Sequence, residues 1–316
     1  MQMQKQYIAV PRPIVCNSVL KLGKVLVGIL LMPGYMLAAL ILGAPGLAIH
    51  LNCAVLALRL FLFHRISVRT CGKLLCFPMD STRYFEFHEV LKILERSTFH
   101  RYLDVSSPRI LPLMLLIRNK TASADMINPD IRDIQETEQL VRALGLKERC
   151  HLLDVTIEKT RFPPETFDLI TCISVLEHIP ADREAVTMMW SLLRPGGRLV
   201  LTLPCMAKPL EQYISQNTYG VLTPDADGYT FWQRFYDEER LQSAIFSITG
   251  MPKKMSVYGE KTYGLFLKNA AMKRVLPLPC YPFWRESYMM ATEYRYFKAI
   301  PELPGEGVIA LEFVKP

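Results

Sequence analysis

The sequence predicts an α/β protein, a doubly wound parallel sheet preceded by a hydrophobic helical hairpin. Three observations lead there. Phe167 to Pro204 reads as strand, helix, turn, strand, the order of a parallel crossover unit. Short apolar, β-branched runs alternate with helical segments from Arg101 onward. Val25 to Leu58 contains no Asp, Glu, Lys or Arg.

A chain of 316 residues accommodates one domain of ~200 to 220 residues with an extension. The pattern divides it into a basic segment and hairpin (1–65), a linker helix (66–99) and a main domain (100–316) with an insertion at 259–306. The formal charge of +7 is local. Through Asp80 there are eight basic residues (Lys5, Arg12, Lys21, Lys24, Arg59, Arg65, Arg69, Lys73) against that one acid, and the remainder balances. A nucleic-acid partner is therefore not expected, because net charge gives the main domain no basic face. Eight scattered cysteines show no CxxC pair and no His at zinc spacing, so they read as reduced thiols without a metal; Cys172 and Cys205 act as small apolar strand residues.

The uncharged stretch divides at Gly43-Ala44-Pro45-Gly46 into two arms. Each arm, roughly 17 to 19 residues, is long enough to cross or deeply enter a ~30 Å hydrocarbon layer. Lys21 and Lys24 precede it and Arg59, Arg65 and Arg69 follow, so both ends stay in the cytoplasm. The expectation is a membrane hairpin through residues 25–63 that spans, or dips into one leaflet. Two helices buried over the main domain are the competing reading, which His50, Asn52 and Arg59 suit. A cleaved signal peptide is disfavoured by the length and by the missing small-x-small site.

Glu86 to Glu95 has helical spacing, and the neighbouring Tyr84, Phe85 and Phe87 either line an entrance or pack. Arg101 to Val105 is the first strand of the sheet. Thr121 to Met126 is the second, with Asp125 at its end, and Asp130 to Leu144 is an amphipathic helix closed by Gly145. His151 to Asp154 is the third strand and Phe167 to Ser174 the fourth. Ala181 to Leu193 is a helix, Pro195-Gly196-Gly197 a break, and Arg198 to Leu203 the fifth strand. Cys205 to Phe235, with Tyr213, Tyr219, Tyr229, Phe231 and Trp232, is long enough to be a lid or binding loop. Asp237 starts a helix, Lys253 to Tyr258 is the sixth strand, and Gly307 to Val314 the last, antiparallel one. In such a sheet ligands meet groups just past the strands' carboxyl ends, which here brings forward Glu177 and His178.

Phe162-Pro163-Pro164-Glu165-Thr166-Phe167-Asp168, then Val175-Leu176-Glu177-His178-Ile179, then Leu193-Arg194-Pro195-Gly196-Gly197 resemble the second half of a class I S-adenosylmethionine-dependent methyltransferase of the type-11 kind. The resemblance implies a Rossmann-like methyltransferase sheet and S-adenosyl-L-methionine as cofactor. By resemblance Asp104, Ser106, Ser107, Asp125, Asp154 and Val175 surround the cofactor, Asp125 accepting both ribose hydroxyls and Asp154 the adenine amino group. Where the family has a GxGxG turn this chain has Ser106-Ser107-Pro108-Arg109-Ile110. Asp168 is structural by the same resemblance. His178, with Glu177, borders the transferable methyl, either as general base or as pocket wall.

The function expected is methyl transfer to a small-molecule or lipid-linked acceptor at the cytoplasmic membrane face. A non-catalytic methyltransferase-like membrane scaffold is the alternative. A nicotinamide dehydrogenase is disfavoured because no GxGxxG follows a strand, and a nucleophilic hydrolase because GxSxG is absent. The insertion, rich in aromatic and basic residues, covers the substrate site, touches a membrane, or packs as an extra subdomain.

Overall fold

The computed structural model describes residues 4–8, 18–95, 97–215, 222–269 and 284–316. Its centre is β5 (Phe167–Ile173), whose seven residues are all buried. A strand covered on both faces needs no polar alternation, and FDLITCI has almost none. Parallel neighbours flank it: β2 (Arg101–Val105) on one side, β6 (Leu193–Cys205) on the other, with β3 (Ser123–Ile127) and β4 (Cys150–Leu153) beyond β2. β11 (Gly307–Val314) enters antiparallel between β6 and β9 (Lys254–Glu260), and β10 (Tyr294–Phe297) adds an edge. The eight-stranded order is β10-β9-β11-β6-β5-β2-β3-β4. Winding reverses between β2 and β5, which opens a crevice past their carboxyl ends.

Crossover helices follow from local signals. α6 (Ile131–Leu144) starts at Asp130, whose side chain accepts from the Arg132 amide, and ends at Gly145 with φ 70°. Thr137, Leu140 and Val141 form its buried stripe. α5 (Ile110–Arg118) is apolar nearly all round, and α7 (Asp182–Leu192) buries Ala185, Val186 and Met189. Asp168 accepts from the amides of His100 and Arg101 (2.6 and 2.8 Å) and pairs with Arg194, so it ties the start of β5 to that of β2. That is the structural role expected. The expected break at Pro195-Gly196-Gly197 is a bulge inside β6: Phe167 pairs with Leu193, and the next partner, Leu169, meets Arg198.

Tyr84, Phe85 and Phe87 lie on α4 (Arg83–Ile93) and are fully buried, so they pack rather than line an entrance. The stretch read as one lid loop carries two strands, β7 (Leu210–Ile214) and β8 (Thr230–Phe235). With the unforeseen β1 (Gln4–Ile8), these form a separate three-stranded sheet, β1-β7-β8. Buried Arg234 fastens it to the body, paired with Asp182 at 2.6 Å and donating to the Pro180 carbonyl at 2.9 Å; the Tyr236 hydroxyl also donates to Asp182. The helix at Asp237 is short, α8 (Glu238–Leu241), and continues as a π turn through Phe246.

The apolar arms are α1 (Ser18–Ile41) and α2 (Leu47–Leu62), joined by the expected turn. Gly46 is required there: its φ is 70°, and a Cβ would collide with the Tyr84 carbonyl. The arms do not stand apart as a membrane hairpin. α1 leans on α9 (Arg285–Glu293) through the Tyr35–Tyr288 rings, while α2 packs on α3 (Val68–Cys76) and α4. Buried His50 contacts the Tyr84 hydroxyl at 2.7 Å and the Leu75 carbonyl at 3.0 Å and stacks on Trp284. Among the described residues no helix is long and apolar enough to cross a membrane. The spanning form of the hairpin therefore finds no support, and the buried reading holds for one face of each helix. Within the insertion, α9 and β10 are ordinary packed elements; Tyr281, Phe283, Lys273 and Arg274 lie outside the described residues, as does Tyr219.

Removing one partner of the Arg234–Asp182 pair leaves a buried charge uncompensated. Asp182→Ala is expected to cost about 3 kcal/mol or more in urea unfolding, whereas Arg194→Ala, at a half-exposed partner, should cost about 1 kcal/mol or less.

Candidate active site

The crevice is a cleft of about 650 Å³. Its floor is the set of turns after the parallel strands: Ser106 to Pro108 after β2, Asn128 to Asp130 after β3, Thr156 to Lys159 after β4, and Ser174, Val175 and His178 after β5. Phe231 and Trp232 of β8 and Ile214 of β7 form the roof, and Arg83 enters from α4. Ser106, Ser107, Val175 and His178 are thus brought together as expected, while Asp104, Asp125, Asp154 and Glu177 are not on the wall.

Asp104 stands behind the first turn. Fully buried, it accepts from Thr171 Oγ1 at 2.7 Å, the Tyr102 hydroxyl at 3.1 Å and the Ser107 amide at 3.1 Å. Burial pushes its carboxyl up to about 6, against the lowering effect of these donors. The turn itself has Ser106 at φ 52°, the left-handed region that favours glycine. Its hydroxyl donates to the Ile127 carbonyl at 3.0 Å, fastening the turn to the end of β3, 21 residues away. Ser107 Oγ accepts from the Ile173 amide, locking the turn to the end of β5.

Asp125 is displaced for a simple reason: β3 runs two residues beyond it, so its carboxylate lies within the ladder. There it pairs with Arg101 at 2.9 Å and His151 Nδ1 at 3.1 Å. Asn128 and Asp130 occupy the wall in its stead. Asp154 is exposed past β4, and the cleft is lined instead by the turn that follows it.

His178 Nδ1 lies 2.5 Å from the Trp232 carbonyl, which only accepts; Nδ1 therefore carries the proton and Nε2 the lone pair. Burial pulls its pKa down to about 4, so the ring is neutral. Such a weak base fits the wall reading better than proton abstraction. Glu177 lies behind it, Oε1 3.8 Å from Nε2, and burial pushes its carboxyl up to about 8, which keeps it protonated near neutrality.

Arg83 escaped sequence reading because a single arginine opening a helix carries no motif. Its guanidinium donates at 2.7 Å to Glu86, a fully buried carboxylate that also accepts from Ser174 Oγ and Thr202 Oγ1. In the sequence Trp232 is only one aromatic of a long loop; in the fold its carbonyl fixes His178.

A family model described as "Methyltransferase domain" matches residues 116–201. Among curated proteins, methyltransferase GfsG of Streptomyces halstedii is 28% identical over 34% of this chain and 39% of its own length. The ubiquinone/menaquinone biosynthesis C-methyltransferase UbiE of Vibrio campbellii is 25% identical over 40% of this chain and 51% of its own. The chain thus spans about half or less of these two relatives. Among solved structures, the MccD protein superposes with TM-score 0.50 and 11% identity, covering 73% of this chain and 97% of that one, a likeness of fold.

Because the folded pKa of Glu177 lies above its ordinary value of 4.5, its favourable contribution is complete below that range and is lost as pH rises through about 8. Wild type should lose about 2 kcal/mol of stability relative to Glu177→Gln between pH 6 and 8, read by urea unfolding of both proteins at each pH.

Proposed function

We propose that the chain carries a class I S-adenosylmethionine-dependent methyltransferase domain and uses it to methylate an apolar, small or lipid-like acceptor at the cytoplasmic face of a membrane. The observation that carries the acceptor class is the roof: Ile214, Phe231 and Trp232 close an apolar half-cleft over the strand ends. Membrane location is supported by the exposed apolar faces of α1 and α2.

The residues present fit the cofactor. Left-handed Ser106 and small Ser107 reproduce a turn that a backbone-hugging ligand can approach, although Pro108 contributes no amide donor. Bound S-adenosylmethionine supplies an electrophilic methyl. Ser106 and Ser107 would hold its amino-acid end, Asn128 and Asp130 its ribose, and Thr156 to Lys159 its base, with Val175 as wall. Asp130 replaces Asp125 in this assignment because two carboxylate oxygens on the wall match a vicinal diol. Asp104 acts through the Ser107 amide. The protein's part in catalysis is mainly positioning and exclusion of water by the roof; neutral His178, anchored to the Trp232 carbonyl, gives the pocket a fixed surface.

The departure of Ser106-Ser107-Pro108 from the glycine pattern favours a second reading, a methyltransferase-like module that binds partners without turnover. Calorimetric titration separates the outcomes. Saturable binding of S-adenosylmethionine is expected, weakened ~tenfold by Asp130→Ala, the loss of one charged hydrogen-bonding group, and changed by about twofold or less by Asp125→Ala. Folded protein that binds nothing at millimolar cofactor would sink the enzyme reading. Transfer of radiolabelled methyl to any lipid-extract acceptor would dispose of the non-catalytic one.

A further inference from the structure

We infer that the outward faces of α1 and α2 dock the protein onto one leaflet of an anionic phospholipid bilayer. This deepens the membrane-face reading, on which it rests for the acceptor's location alone.

On α1, Val19, Leu22, Leu26, Leu30, Leu37 and Ile41 are exposed, recurring at helical spacing along one side. The other side, with Tyr35 and Ala39, faces α9 and Trp284. α2 repeats the arrangement. Leu51, Val55, Leu58 and Leu62 are exposed, whereas Ile49, Cys53, Ala57 and Leu60 are buried. A helix on the surface of a water-soluble protein presents polar residues opposite its core. These two present leucine, and Leu30 and Leu62 are 79% and 73% exposed. Apolar residues exposed in this number on two successive helices exceed the scattered hydrophobics normal on a monomer and mark an interaction face.

The packing of α2 sets the depth. Its inner face is fixed by the His50 contacts to Tyr84, Leu75 and Trp284, so full immersion would strip buried polar groups of their partners. Only the outer half is available to lipid, which matches a helix lying in the interface plane, ~5–10 Å deep.

Charge selects the occupant. No Asp or Glu precedes Asp80, and Arg59 in the last turn of α2 and Arg69 just past it are exposed, as is Val68, while Arg65 donates to the Ala143 carbonyl. Arginines around an apolar face complement lipid phosphates. A second copy docking through the same face would bring these arginines against their own kind, which opposes a symmetric dimer.

The test is flotation of the full chain with vesicles, with no methyl transfer measured, so that its failure is separable from failure of the enzymatic reading. Wild type should float with phosphatidylcholine–phosphatidylglycerol vesicles and ~tenfold less with phosphatidylcholine alone or in high salt. The double variant Val55→Asp/Leu58→Asp should remain at the bottom while keeping its far-ultraviolet circular dichroism and its S-adenosylmethionine affinity. Arg59→Glu/Arg69→Glu should lose the preference for phosphatidylglycerol. A wild type that does not float, or a double aspartate variant that floats equally well, overturns the inference. A dimer seen by light scattering in lipid-free buffer and dispersed by Val55→Asp/Leu58→Asp, without wild-type flotation, assigns the face to a second copy and overturns it too.

Discussion

The cleft depends on a carboxylate that never reaches it. Asp104 sits between β2 and β5, where the winding reverses, and collects donors from both strands and from the Ser107 amide. A buried carboxyl is costly unless its lone pairs are occupied; here three donors occupy them, and the turn is held as a result. Ser107 passes the constraint to Ile173, and the next residue, Ser174, is itself left-handed at φ 48°. Ser174 bonds Glu86, and Glu86 holds Arg83. One hydrogen-bonded path thus leads from the sheet's centre to the cation on the cleft wall.

The same path explains how the molecule keeps several acids near an apolar cleft. Glu86 is matched by Arg83, Asp104 by its donors, and Glu177 by holding its proton. His178 contributes no charge, since its ring is neutral and anchored to the roof through Trp232. Between roof and floor the wall therefore carries a neutral imidazole and a guanidinium paired with Glu86.

Much of this was legible in the residues. Gly307 to Val314 forms the last strand with the ends read from its apolar run, α6 has the cap and stop that Asp130 and Gly145 announce, and Asp168 is structural. The failures have one physical source. Periodicity reports that a strand exists but not where it stops, and two residues decide whether Asp125 is a ligand or an ion-pair partner in the ladder. Asp154 lies exposed past β4, two residues before the turn that lines the cleft. Arg83 and β1 were invisible because each acquires its meaning from residues distant in the chain. The hairpin arms were read correctly as helices, yet their amphipathic division into a protein face and an apolar outer face needs the packing of His50 and Tyr35 to be seen.

β1 also governs the order of assembly. Gln6 and Gln212 are 206 positions apart and hydrogen-bonded across the small sheet. Loop closure over such a span is slow. During synthesis β1 must wait through those 206 residues for its partner, while the leucine-rich helices that follow it emerge at once. The small sheet that carries the roof thus cannot close before β7 and β8 are made. Through that interval the apolar faces of α1 and α2 are exposed and prone to aggregate, and an early surface to rest on would serve the nascent chain before it served the folded protein.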